Sequence, residues 1–159
     1  MFGQFARCLT VAISLLGVST LFAADQLQPY EKNPRYWQYK GRPVLLLGGS
    51  KTDHLFLAEG LKQHLDETAA ADGNYVRNTM SQREGADLKP HRQLESGKFD
   101  LNQWNDDYWQ RFADCLRWCH ERDIIIQIEV WDRFDFSREH WQTSPWRPQN
   151  NVNYTGKET

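Results

Sequence analysis

Cysteine is scarce, with three in 159 residues. Cys8 falls in the amino-terminal apolar segment, so only Cys115 and Cys119 stand in the rest of the chain. They lie four apart in a helical pattern with Leu116 and Trp118 between them, and His120 follows. No fourth ligand accompanies them, so they read as small core residues and not as a metal site. Two thiols on one helix face also provide no disulfide framework. Charge of one sign is equally absent. The 19 Lys+Arg and 21 Asp+Glu give a formal charge of -2. A nucleic-acid binder would carry a basic stripe, and none is present.

Repeats, heptads and low-complexity tracts are missing, as are nucleotide loops. Gly48-Gly49-Ser50-Lys51-Thr52 places a serine between glycine and lysine and lacks the earlier glycine of a Walker loop. No Gly-x-Gly-x-x-Gly run exists for a dinucleotide. No cofactor and no metal are therefore expected. Aromatic surface, in contrast, is plentiful: 13% of residues, with 7 Trp. Part of it must be core, and the remainder is raw material for a sugar-binding surface.

Residues 1–24 read as a secretory signal. Arg7 is their only charge before an apolar stretch from Leu9 to Ala24, with cleavage beside Ala23 or Ala24. A bilayer span needs about 20 apolar residues, so the stretch is short for one. Leu21 stands where a cleavage site prefers a small residue, and an uncleaved anchor is the alternative. The expectation is a secreted or periplasmic protein with no stable membrane association.

Residues 25–42 then form a lead-in and hairpin, and 43–159 the main domain. Tyr36 to Tyr39, Lys40-Gly41, and an apolar arm Val44 to Leu47 predict a hairpin whose second arm is buried on both faces, as in a parallel sheet. Leu55, Ala58, Leu61 and Leu65 recur at helical steps, with Gly73 as the left-handed stop. Tyr75 to Met80 is β-prone. Residues 81–100 read as a long polar connection. Trp104, Tyr108, Phe112, Leu116 and Cys119 then mark one face of a helix capped by Asn105. Ile124 to Trp131 is the most hydrophobic strand. Beyond it the chain is polar and aromatic with an Asn-rich end, and no fourth strand follows. Strand, helix, strand, helix, strand predicts an α/β chain with a parallel sheet.

In such folds the site forms at the carboxyl ends of the strands. Those ends carry Asp53-His54, Arg77-Asn78-Thr79 and Glu129 to Arg133. Glu129 lies on an isoleucine-rich strand, where a carboxyl carries a raised pKa unless a cation sits near it. Such a group suits acid/base work on a glycosidic bond, which needs paired carboxylates roughly 5–10 Å apart. The alternative is a carboxylate that pairs with Arg77 of the adjacent strand and organises the site. Arg77 orients a carboxylate or meets a sugar hydroxyl. Trp131 offers a flat face for pyranose C–H groups or packs in the core. Asp53 and His54 form an acid/base pair, or a helix cap and a surface histidine. Trp141 and Trp146 face substrate or pack a loop.

Three stretches in order, Tyr39-Lys40-Gly41-Arg42-Pro43-Val44, Gly73-Asn74-Tyr75-Val76-Arg77-Asn78-Thr79 and Gly97-Lys98-Phe99-Asp100-Leu101 with Tyr108-Trp109, resemble the opening of a secreted (β/α)8 glycoside hydrolase of the cellulase-like, family-5-type clan. The resemblance covers residues 35–135 and departs from the clan at Asp123, where a glycine is usual. It implies the first three βα units of a TIM barrel and a carbohydrate substrate. Arg77 takes the place of the second-strand arginine that supports the nucleophile. Glu129 is the candidate catalytic residue, and Arg77, Asn78, Trp131, Asp132, Asp53 and His54 are the candidate substrate contacts. The clan's acid/base and nucleophile glutamates follow the fourth strand and end the seventh. The chain therefore reads as an amino-terminal portion that is inactive alone. A non-catalytic carbohydrate-binding protein is one rival reading. A small SGNH-like esterase is the other, with Ser50 as nucleophile after Leu47-Gly48-Gly49.

Overall fold

The computed structural model describes residues 26–81 and 88–154. The expected signal segment lies outside them. Two compact units divide between Leu45 and Leu46. In the first, β1 (Gln28–Pro29), β2 (Trp37–Tyr39) and β3 (Arg42–Val44) form an antiparallel sheet in that order. Lys40 and Gly41 both take positive φ, 49° and 72°, which is the two-residue turn whose twist matches a hairpin.

The second unit holds α1 (Leu61–Ala70), β4 (Tyr75–Thr79), β5 (His91–Gln93), β6 (Phe99–Trp104), α2 (Asp106–His120), β7 (Ile125–Glu129) and α3 (Arg138–Thr143). β4 and β7 pair in parallel, from Tyr75 opposite Ile125 to Thr79 opposite Glu129. Leu55, Leu61, Leu65, Val76, Cys115, Cys119 and Ile124 are among the buried residues of one core between this sheet and the helices. The two cysteines are buried and unbridged.

Several sequence expectations are corrected. The doubly buried strand over Val44–Leu47 does not form: Leu45 is 65% and Leu47 52% exposed. Instead, residues 47–53 run beside β4 with irregular bonding. Asn74 N–H donates to Leu47 O at 2.8 Å, Gly48 bridges Tyr75 in parallel, and Thr79 N–H donates to Asp53 O at 2.7 Å. β4 serves β7 from its other edge, through Asn74 O and Met80 N–H. The first helical stretch is broken: Leu55–Leu57 is a 3-10 turn, and Gly60 at φ 69° precedes α1. Residues 81–100 are more than a connection, because the antiparallel hairpin β5–β6 begins within them. Trp104 ends β6 and does not join the helix face. Asn105 occupies the cap position of α2 without a side-chain cap bond, and its Nδ2 donates to Lys89 O at 2.9 Å. β7 is half-exposed along its length, since β4 is its one paired strand among the described residues.

Both helices leave for their strands by the same device. Asp72 and Asp123 are left-handed, at φ 58° and 52°. Gly73 N–H reaches back to Thr68 O and Ile124 N–H to Cys119 O, the long bond of a Schellman ending. The left-handed stop after α1 is thus Asp72, one residue before the expected Gly73. Asp123 can hold this conformation because Asp tolerates it better than most residues.

Gly48 has the tightest backbone approach. Its φ is 150°, and a Cβ there would lie 2.0 Å from Tyr75 O. Gly48→Ala should destabilise the protein by more than about 2 kcal/mol, measured as a lower urea midpoint. Gly49→Ala, with open space around its Cβ, should shift it little.

Candidate functional site

Parallel pairing brings Asp53, Thr79 and Glu129 to one end of the sheet, where their segments finish together. Alternation along β4 then sorts its side chains. Val76 and Asn78 are buried toward the core, whereas Arg77 is half-exposed on the opposite face. Arg77 Nη2 meets Asp53 Oδ1 at 2.6 Å, and its Nη1 lies 3.5 Å from Glu129 Oε2. Thr79 Oγ1 donates to the same Glu129 oxygen at 2.7 Å, and Gln127 Nε2 donates to Oε1 at 3.1 Å. Tyr75 Oη in turn donates to Gln127 Oε1 at 2.7 Å. One guanidinium thus bridges two carboxylates, and a ladder of polar donors completes the face. The cation that the Glu129 environment calls for is Arg77. These side chains remain partly open to water, so the ion pairs serve orientation more than stability.

The cluster lines a groove of about 490 Å³ together with Trp131 and Asp132. The same two residues also line a neighbouring cavity of about 700 Å³. Five of the seven tryptophans border that cavity: Trp104, Trp109, Trp131, Trp141 and Trp146. Trp131 is 65% exposed, yet one face is covered by Phe136, whose centroid lies 4.0 Å away at an interplanar angle of 4°. Phe136 also stacks near Trp146 at 5.9 Å. The polar groups of the cavity include buried Lys89, His91, Asp132 and Asp135.

Of the residues anticipated from sequence, Glu129, Arg77 and Asp53 are brought together, and Trp131 and Asp132 flank them. Asp132 also caps the turn Arg133–Phe136, its Oδ1 accepting from Phe134 N–H at 2.9 Å. Asn78 and His54 are not brought to the groove. Asn78 is fully buried, with Oδ1 accepting from Phe56 N–H and Nδ2 near Met80 Sδ. His54 is not a surface residue: it is 1% exposed and packs edge-on against Phe56 and Tyr108. Asp53 serves Arg77 and caps no helix. Trp141 and Trp146, readable as loop packing, border the cavity. Ser50 Oγ accepts from Arg77 N–H at 2.9 Å and donates to Arg77 O. It takes the place of a strand peptide group, a structural use that speaks against a nucleophile.

Sequence reasoning missed Lys89, His91 and Asp135. The run of aromatic residues after β7 was the available sign of the cavity. The lysine, the histidine and the aspartate gave none, because their neighbours come from distant segments.

Burial pushes the His54 imidazole from 6.5 down to about 4, against a hydrogen bond to the Ser81 backbone that raises it and with Lys89 adding to the fall. The folded state therefore holds His54 neutral where the unfolded chain already binds a proton. Stability is complete above about pH 6.5 and is lost as pH falls toward 4. Between pH 7 and 5 this amounts to about 2 kcal/mol. Urea midpoints measured across that range should fall more steeply for the wild type than for His54→Phe. Equal slopes would remove His54 as the cause.

Comparison with known protein families, curated proteins and solved structures gave no match. What this site can do follows from its own geometry.

Proposed function

We propose that this chain supplies the carbohydrate-binding end of a glycoside-hydrolase-like (β/α)8 fold, acting on a polysaccharide or oligosaccharide outside the cytoplasm. The observation that carries the reading is Arg77 held between Asp53 and Glu129, beside an aromatic cavity that shares Trp131 and Asp132 with its groove. Sugars present two chemistries at once. Their hydroxyls need donors and acceptors side by side, which the guanidinium and two carboxylates offer. Their C–H faces are slightly electropositive and rest against the negative face of an aromatic ring. Trp131, backed by Phe136, is such a ring.

Glu129 is the candidate catalytic carboxylate in this reading, and Asp53, Arg77, Trp131 and Asp132 hold the substrate. Glycoside hydrolysis uses two carboxyl groups in different roles across the scissile bond. Here Asp53 and Glu129 share the Arg77 guanidinium, an arrangement suited to holding and orienting. The chain is therefore expected to bind sugar without cleaving it. This favours the non-catalytic carbohydrate-binding reading for the chain in isolation.

Titration of the full chain with cellotetraose, xylotetraose and mannotetraose, followed by tryptophan fluorescence, tests the proposal. At least one should quench with saturation. Trp131→Ala and Arg77→Ala should each weaken that binding about tenfold or more, and Glu129→Gln should weaken it less. No reducing sugar should be released. Failure of all three oligosaccharides to bind would sink the reading, and so would binding indifferent to both Trp131 and Arg77.

A further inference from the structure

The aromatic cavity contains one polar atom whose state asks for a ligand. His91 stands at the start of β5, is 6% exposed and lines the cavity. Its ring is stacked on Trp104 at 5.0 Å and 19°, and meets Trp146 edge-on at 5.7 Å and 90°. Two indoles therefore fix its orientation. Its buried Nδ1 has no hydrogen-bond partner. The Gln103 backbone acts on the imidazole from the paired strand, and Nδ1 is left unmatched. A neutral imidazole that donates one N–H to a carbonyl carries a lone pair on the other nitrogen. Nδ1 is a buried ring nitrogen without a hydrogen-bond partner, on a residue that lines the cavity and is oriented by two indoles.

We propose that the aromatic cavity is a subsite for one neutral sugar ring, in which His91 Nδ1 accepts a hydrogen bond from a ring hydroxyl. The inference rests on the carbohydrate reading above and extends it from the Arg77 groove to the neighbouring space. A buried acceptor left unmade is costly, and an atom in that state calls for a partner from outside the chain. A hydrocarbon ligand would fill the indole walls and leave Nδ1 unmade. A hydroxyl-bearing ring satisfies both at once. An anionic ring would meet two carboxylates, Asp132 and Asp135, against the single ammonium of Lys89 in the same cavity. Because Trp131 and Asp132 border both spaces, one ring in the cavity and the next in the groove belong to one oligosaccharide.

Three variants of the full chain test this, titrated with the tetraose that the wild type binds. His91→Phe keeps a ring for Trp104 and removes the acceptor. His91→Asn places an amide oxygen near the position of Nδ1. His91→Phe should raise Kd about tenfold, whereas His91→Asn should stay within about threefold of the wild type. Melting temperatures of both variants report whether the fold is intact. If His91→Phe binds as tightly as the wild type while Arg77→Ala loses binding, the subsite is overturned and the carbohydrate reading stands. Equal loss in both His91 variants with unchanged melting temperatures also overturns it, since His91 would then be packing alone. No binding of any tetraose to the wild type overturns both.

Discussion

Arg77 is held twice, and the geometry of the site depends on both holds. Its peptide is clasped by the Ser50 hydroxyl, which both accepts from its N–H and donates to its C=O. Its guanidinium is divided between Asp53 and Glu129. The first hold fastens residues 47–53 to one edge of β4. The second ties that segment, β4 and β7 together across the exposed face. Gly48 makes this possible, because only a residue without a Cβ lets the chain come so close to Tyr75. The backbone approach and the side-chain cluster are one construction.

Polar groups on the other face of β4 solve a different problem. Asn78 is buried, so its amide must be used internally, and it is: Oδ1 takes the N–H of Phe56 at the broken turn before α1. His54 fills the neighbouring space between Phe56 and Tyr108. Desolvation keeps it neutral, so this part of the core is most stable at neutral pH and above and weakens on acidification. Tyr108 is affected in the same sense, its phenol pushed up by burial and by Asp135 nearby.

The strength of local periodicity decides which elements were legible. α2, β4 and β7 follow directly from Tyr108, Phe112 and Cys119 on one helix face and from short apolar β-prone runs. The hairpin at Lys40-Gly41 follows from its turn residues. Val44–Leu47 misled because a continuous apolar run implies burial, whereas the pairing is made by Gly48, Ser50 and Asp53 beyond it. β5 was illegible because His91-Arg92-Gln93 carries no aliphatic residue, and in β6 the alternation of Phe99 and Leu101 stops at Asn102-Gln103. The Asn-rich end read as loose polar chain, yet Asn151 binds the carbonyls of Pro145 and Arg147, and Asn153 accepts from Leu101 N–H. Among the site residues, Arg77, Asp53 and Glu129 were reachable because strand ends converge. Asn78 and His54 were misplaced because the face each presents depends on the register and on the break at Gly60.

Charge links the groove to the cavity. In formal terms Arg77 and Arg133 stand against Asp53, Glu129 and Asp132 in the groove, and Lys89 against Asp132 and Asp135 in the cavity. Each space carries one more acidic than basic group, which disfavours an anionic polymer in either. Between them, Trp131 is fixed on one face by Phe136, so placing a ring on its open face requires little ordering of the protein. A neutral chain of sugars can therefore use the polar groove for its hydroxyls and the indole walls for its C–H faces. A charged ligand would gain from neither arrangement. A flat aromatic one would use the walls and leave the polar ladder of Tyr75, Gln127, Thr79 and Glu129 without a purpose.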